Sequence, residues 1–127
     1  MITTTKTKTI LAVDDEEELL NELKIVLKDQ NYDVVTAKDG VEGLQRSAEI
    51  DPDLIILDIT MPKMDGLEML SRLRQDHRTA ATPVIMLTAS AKTDHMIDAQ
   101  RFNAADFMLK PFNLDEFLMT VRQKIRR

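Results

Sequence analysis

Cysteine is absent from this 127-residue sequence, which excludes disulfides and thiolate metal sites and weakly favours a reducing compartment. Tryptophan is absent too, and aromatic residues make up only 4% of the chain. A flavin-type pocket, which needs stacking rings and hydroxyl-rich phosphate loops, is therefore not expected. With 3 glycines and 4 prolines there is no low-complexity linker and no fibrous or disordered composition. Apolar runs reach about four residues, against the ~20 needed to span a bilayer. Positive charge is in deficit, the net being −5, which gives no reason to expect direct nucleic-acid binding and argues against an anionic membrane surface. Residues 1–9 contain no apolar secretory stretch. The expectation is a flexible tail over residues 1–8 and one cytoplasmic domain over residues 9–127.

What is present is 43% hydrophobic and 31% charged, the composition of an ordered globule. Short apolar runs alternate with segments of helical period, the signal of βαβ units around a parallel sheet. Five such pairs occur, with strands expected over Thr9 to Val13, Asp33 to Ala37, Leu54 to Leu57, Val84 to Leu87 and Phe107 to Leu109. The third and fourth are continuously apolar, as strands covered on both faces must be, whereas the second is more polar and edge-like. Leu19, Leu20, Leu23, Val26 and Leu27 form one stripe of a helix over Glu16 to Gln30. Leu114, Phe117, Leu118, Val121 and Ile125 do the same over Leu114 to Arg126. Asp39 with Glu42, Asp65 with Glu68, and Asn113 with Glu116 have the spacing of capping boxes. Lys92 to Phe102 is a helix with no clean stripe.

In an open parallel sheet ligands bind beyond the carboxyl ends of the strands. The residues just after the strands are Asp14 and Asp15, Asp58, Thr88 and Lys110. Each has an ordinary structural explanation: Asp14 and Asp15 can cap the acidic first turn of a helix, Asp58 can sit in a turn, Thr88 can end a strand, and Lys110 can lie in a solvated loop. One chemistry uses all of them together. Three crowded carboxylates repel unless a cation sits among them, and oxygen ligands suit Mg²⁺. An aspartate attacks a phosphoryl donor when the charge on the equatorial oxygens is met by a metal, an ammonium and a hydroxyl. Asp58, ending the central strand, is the best placed nucleophile.

These residues lie in four motifs: Val13-Asp14-Asp15, Leu54 to Gly66 with Asp58 inside it, Leu87-Thr88-Ala89, and Phe107 to Phe112 with Lys110-Pro111 inside it. Their order and spacing, over nearly the whole stretch from Thr9 to Arg126, resemble the receiver domain of two-component response regulators. The resemblance implies an α/β, doubly wound (βα)5 flavodoxin-like three-layer sandwich with strand order 2-1-3-4-5. It implies that Asp58 is the phosphoacceptor, supplied by a sensor histidine kinase or phosphotransfer protein. Mg²⁺ or Mn²⁺ would be held by Asp14, Asp15, Asp58 and the backbone carbonyl of Thr60, with Asp15 the more direct ligand. Lys110 would pair with a phosphoryl oxygen, and Pro111 would follow a cis peptide. Thr88 and Phe107 would form the switch, altering the surface of the fourth helix, fifth strand and fifth helix. Such a domain signals, and catalyses only its own phosphorylation and dephosphorylation.

Asn103 stands where many family members have Gly, and Asn tolerates left-handed backbone. Phe107 stands where Tyr is common. Thr60 and Ser90 flank the path of an attacking water, and neither is an acid or amide, so slow self-hydrolysis is expected. Ala105 and Thr120 replace the Asp and Arg with which transcription-factor members pair, so that dimer is not expected. His77 and His95 are read as surface residues apart from the acids. An acid-nucleophile phosphatase is the competing enzyme reading, but it needs a second acid two residues after the nucleophile, where Thr60 stands. A pseudo-receiver that only binds partners is disfavoured by the intact acids and Lys110.

Overall fold

The computed structural model describes residues 6–90 and 92–127. The expected tail over residues 1–8 falls mostly on residues 1–5, which lie outside the described residues. The elements are β1 (Thr9–Val13), α1 (Glu17–Asp29), β2 (Asp33–Ala37), α2 (Gly40–Ile50), β3 (Leu54–Leu57), α3 (Gly66–Gln75), β4 (Val84–Thr88), α4 (Thr93–Arg101), β5 (Asp106–Leu109) and α5 (Leu114–Lys124). The five strands pair in parallel in the order β2-β1-β3-β4-β5, the expected order. The progression of strand order reverses between β1 and β3, so the crevice of a doubly wound sheet opens there.

Strand alternation divides the core in two. Leu54 and Ile56 of β3 pack with Leu20, Leu23 and Leu27 of α1 and Phe117 and Val121 of α5. Ile55 and Leu57 face the other way, onto Met69, Leu70 and Leu73 of α3 and Ala99 of α4, with Leu44 and Ile50 of α2 beside them. All four residues of β3 are buried, which is why this strand shows no polar alternation. Three layers result, as expected.

Several boundaries differ from the sequence reading. β4 runs on to Thr88 and β5 begins at Asp106, because neighbouring strands extend the ladder where hydrophobicity has already stopped. α5 ends at Lys124 and not Arg126. Leu114 fits the helical stripe yet is 44% exposed, since it lies in the first turn, beyond the sheet edge, beside Pro111 and Phe112. Asp39, Asp65 and Asn113 each accept the amide of the glutamate three residues on, the first half of each expected capping box. Asn103 has φ of 59°, the left-handed backbone expected of it.

Arg74 is a tie that the sequence did not reveal. Its guanidinium donates to the carbonyls of Phe102 (3.0 Å), Thr79 (3.1 Å), Thr82 (2.8 Å) and Asn103 (3.1 Å). A cation thus closes the C-terminal end of α4 against α3, where the helix dipole favours it. Burial lowers its pKa. Arg74→Met keeps the apolar stem and removes the donors; we expect it to cost about 2 kcal/mol in urea unfolding.

Candidate functional site

The carboxyl ends of β1, β3, β4 and β5 meet at one edge of the sheet, and the residues that follow them converge there. Asp58 begins the segment after β3, with its amide bonded to the carbonyl of Val13 at 3.0 Å, so β1 and β3 hold it jointly. It is 5% exposed and Asp14 is 3% exposed, whereas Asp15 faces solvent. One carboxylate oxygen from each of Asp14, Asp15 and Asp58 lies within 4.8 Å of the others. These are oxygen donors only, the chemistry a hard divalent cation takes.

Lys110 closes the cluster from β5. Its Nζ donates to Asp14 Oδ2 at 2.7 Å and lies 3.6 Å from Glu16 Oε1 and 3.7 Å from Asp58 Oδ2. Its shortest contact is thus an acid of the cluster. The peptide bond to Pro111 is cis. Glu16, which the sequence reading treated only as part of an acidic first turn, is a further neighbour of the ammonium. The residue before α1 is Glu16, which makes no side-chain cap. Asp14 Oδ1 instead accepts the Glu16 amide at 2.9 Å, so Asp14 does turn the chain into α1 as well as paying into the acidic cluster.

Burial dominates the electrostatics. It raises the Asp14 carboxyl above its ordinary 3.8, against the Lys110 hydrogen bond and the Glu16 amide, with the Asp58 charge adding to the rise. Burial likewise raises Asp58, outweighing the Thr88 hydrogen bond, the Lys110 charge and the Ile59 amide. For Lys110 burial acts downward, but the Asp14 hydrogen bond and the charges of Asp14, Asp58 and Glu16 outweigh it and raise the ammonium above 10.5. One ammonium therefore does not neutralise these acids, and a further cation would relieve them.

Thr88 ends β4 and is buried; its Oγ1 accepts the Ser90 amide at 3.2 Å. Phe107 is half-buried against the α3–α4 side of the sheet. It pairs in register with Met86, while Thr88 pairs with Leu109, so Thr88 and Phe107 stand on the same face of adjacent strands. Phe107 lines a groove with Met96, Ile97 and Ala99 of α4. Thr60 lines the cavity over Asp58 together with Asp15, Thr88, Ser90, Lys92, His95 and Lys110. Gly66 closes the floor: its amide donates to the Ile59 carbonyl at 2.8 Å, and a Cβ there would collide with the Asp58 carbonyl oxygen.

One placement differs from the sequence reading. His95 lies on the rim of this cavity, with Nδ1 2.7 Å from Ser90 Oγ. The fourth crossover, β4 to α4, is short enough to fold the first turn of α4 back over the strand end, and the residue types alone carry no signal of it. His77 is exposed, beside Asp76.

Residues 10–122 match the family described as the response regulator receiver domain. Among similar proteins, the DNA-binding dual master transcriptional regulator RpaA of Synechocystis sp. is 41% identical over 93% of this chain and 49% of its own length. The alkaline phosphatase synthesis transcriptional regulatory protein PhoP of Bacillus subtilis is 40% identical over 94% of this chain and 49% of its own. The chain thus spans about half the length of these relatives. Among solved structures, the Vibrio cholerae chemotaxis protein CheY4 superposes with a TM-score of 0.89 at 31% identity, covering 94% of this chain and 100% of that one.

Proposed function

Because the chain belongs to the response regulator receiver domain family, we propose that it is a phosphorylation switch whose acceptor is Asp58. The observation that carries this reading is the seating of that carboxylate, buried at the end of central β3 with Lys110 Nζ 3.7 Å away and two further acids beside it. The donor is a phosphohistidine on a sensor histidine kinase or phosphotransfer protein. An Asp58 carboxylate oxygen forms the new bond to phosphorus as the donor's P–N bond breaks, and the electron pair stays on the donor imidazole. Lys110 and the Thr88 hydroxyl then meet the charge on the phosphoryl oxygens.

Asp14, Asp15, Asp58 and the Thr60 carbonyl are the ligands we assign to Mg²⁺ or Mn²⁺. The fit rests on an all-oxygen donor set and on two buried acids held above their ordinary pKa. When bound, the ion supplies charge neutralisation to acids and phosphoryl oxygens alike.

The new phosphoryl group adds about −1.5 to −2 charge and three acceptors. We assign the response to Thr88, whose hydroxyl turns toward those acceptors, and to Phe107, whose ring moves into the space left on the shared face. The readout is the α4-β5-α5 surface, where Met96, Ile97, Leu109 and Met119 are exposed. The domain acts on no other molecule; it catalyses its own phosphorylation and dephosphorylation. It works in the cytoplasm without direct contact to nucleic acid or membrane, consistent with its net charge of −5. Among the described residues no helix is long and apolar enough to cross a membrane.

Beryllofluoride with Mg²⁺ mimics the phosphoryl group. Titrating it should shift the amide resonances of Thr88, Phe107 and α4, and unchanged spectra would overturn the switch.

A further inference from the structure

Ser90 and His95 form a hydrogen-bonded pair, Oγ to Nδ1 at 2.7 Å, in the wall of the cavity of about 620 Å³ that also holds Asp58, Thr60, Thr88 and Lys110. Before phosphorylation Ser90 is also tied through its amide, which donates to Thr88 Oγ1. His95 is half-buried and makes no part of either core. Taken alone, the Ser90 hydroxyl is a rotor that would hold water poorly. Bonded to an imidazole, it has a fixed direction.

We propose that His95 is a positioning residue for hydrolysis of the phosphoryl group on Asp58, acting through Ser90 to orient the attacking water. This rests on the phosphoacceptor reading above. With the imidazole neutral and its proton on Nε2, Ser90 donates to Nδ1 and leaves its oxygen lone pairs to accept from a water in the cavity. The water oxygen forms a bond to phosphorus, and the bond between phosphorus and the Asp58 carboxylate oxygen breaks. The electron pair returns to Asp58, and both water protons leave on inorganic phosphate. With the imidazole protonated, Nδ1–H donates instead to Ser90 Oγ. The hydroxyl hydrogen is then turned outward, where phosphoryl oxygens accept it and water is no longer held.

Charged groups sharing the cavity with His95 are Asp15 and Glu16 from the loop after β1, Asp58 from β3, Lys110 from β5, and Lys92 ahead of α4. Asp94 and Asp98 lie on α4 itself.

The test is the loss of phosphoryl group after loading the whole chain from acetyl phosphate and Mg²⁺, followed by phosphate release across mildly acidic to mildly basic pH. The expected result is that His95→Ala slows release about fivefold at neutral pH, the rate equivalent of one hydrogen bond. Ser90→Ala should slow it as much, and the double variant no further. His95→Gln, whose side-chain oxygen still accepts from Ser90, should restore most of the rate and flatten the pH profile. Equal rates and profiles in wild type and His95→Ala would overturn the inference, as would an additive loss in the double variant. Failure of the wild type itself to load would overturn the phosphoacceptor reading, and this inference with it.

Discussion

Asp58→Asn should reduce phosphoryl incorporation from acetyl phosphate or a phosphohistidine donor to background, measured by gel retardation or intact mass. The amide nitrogen is no nucleophile, and the remaining acids do not substitute for it. Asp15 faces solvent, and Asp14 is engaged twice, by Lys110 Nζ and by the Glu16 amide. The same substitution should stabilise the metal-free fold at neutral pH. Burial already holds the Asp58 carboxyl above 3.8, and the neighbouring Asp15 charge adds to that, so the ionised form is the strained one. The sign follows from linkage: a carboxyl whose folded pKa is raised contributes most below its unfolded value and loses that contribution as pH rises through the folded value. The gain from Asp58→Asn should therefore be seen at neutral pH and vanish in acid. Incorporation that survives in Asp58→Asn would move the acceptor elsewhere.

Lys110→Met should destabilise the apo fold by about 3 kcal/mol at neutral pH, measured by thermal or urea unfolding, because it leaves buried acids without their cation. Met fills the space of the Lys stem, which isolates the charge. The Lys110 ammonium is raised above 10.5 by its acidic neighbours, so its contribution is complete below that value and lost only at alkaline pH. Removing it also removes the influence that lowers Asp14 and Asp58. Their folded pKa values then rise further, and the acids take up protons at milder acidity. The deficit of the variant against wild type should thus shrink as pH falls, and added Mg²⁺ should recover part of it at neutral pH. A deficit that does not change with pH would mean that lost packing, and not charge, is the cause.

Much of this domain could be read directly. The five strands were found within one residue; for β1, β3 and β4 the reason is that burial on both faces of a parallel sheet imposes a continuous apolar run, and β3 is its clearest case. The caps were legible because Asp or Asn followed by Glu at the third position satisfies a local need of the backbone. Legibility failed where contacts are long-range or where a boundary is set by a neighbour. Thr88 was placed after β4 but belongs to its last rung, and Leu114 fits its helical period while lying outside the core. The resemblance supplied the strand order, which periodicity cannot, since every permutation of covered parallel strands shows the same pattern.

The clustering of Asp14, Asp15, Asp58, Thr88 and Lys110 behind strands was determined by sequence alone, because strand ends are marked by where hydrophobicity stops. Only the tertiary structure decided which of them touch. Lys110 and Asp14 are 96 residues apart in the chain and meet because β5 and β1 deliver their ends to one edge of the sheet. Arg74 reaches Phe102 and Asn103 across 28 and 29 residues because α3 and α4 share a face. His95 meets Ser90 because α4 starts over the end of β4. Local propensity acts over a few residues, whereas a charge or a hydrogen bond takes whatever partner the folded sheet brings within about 3 Å.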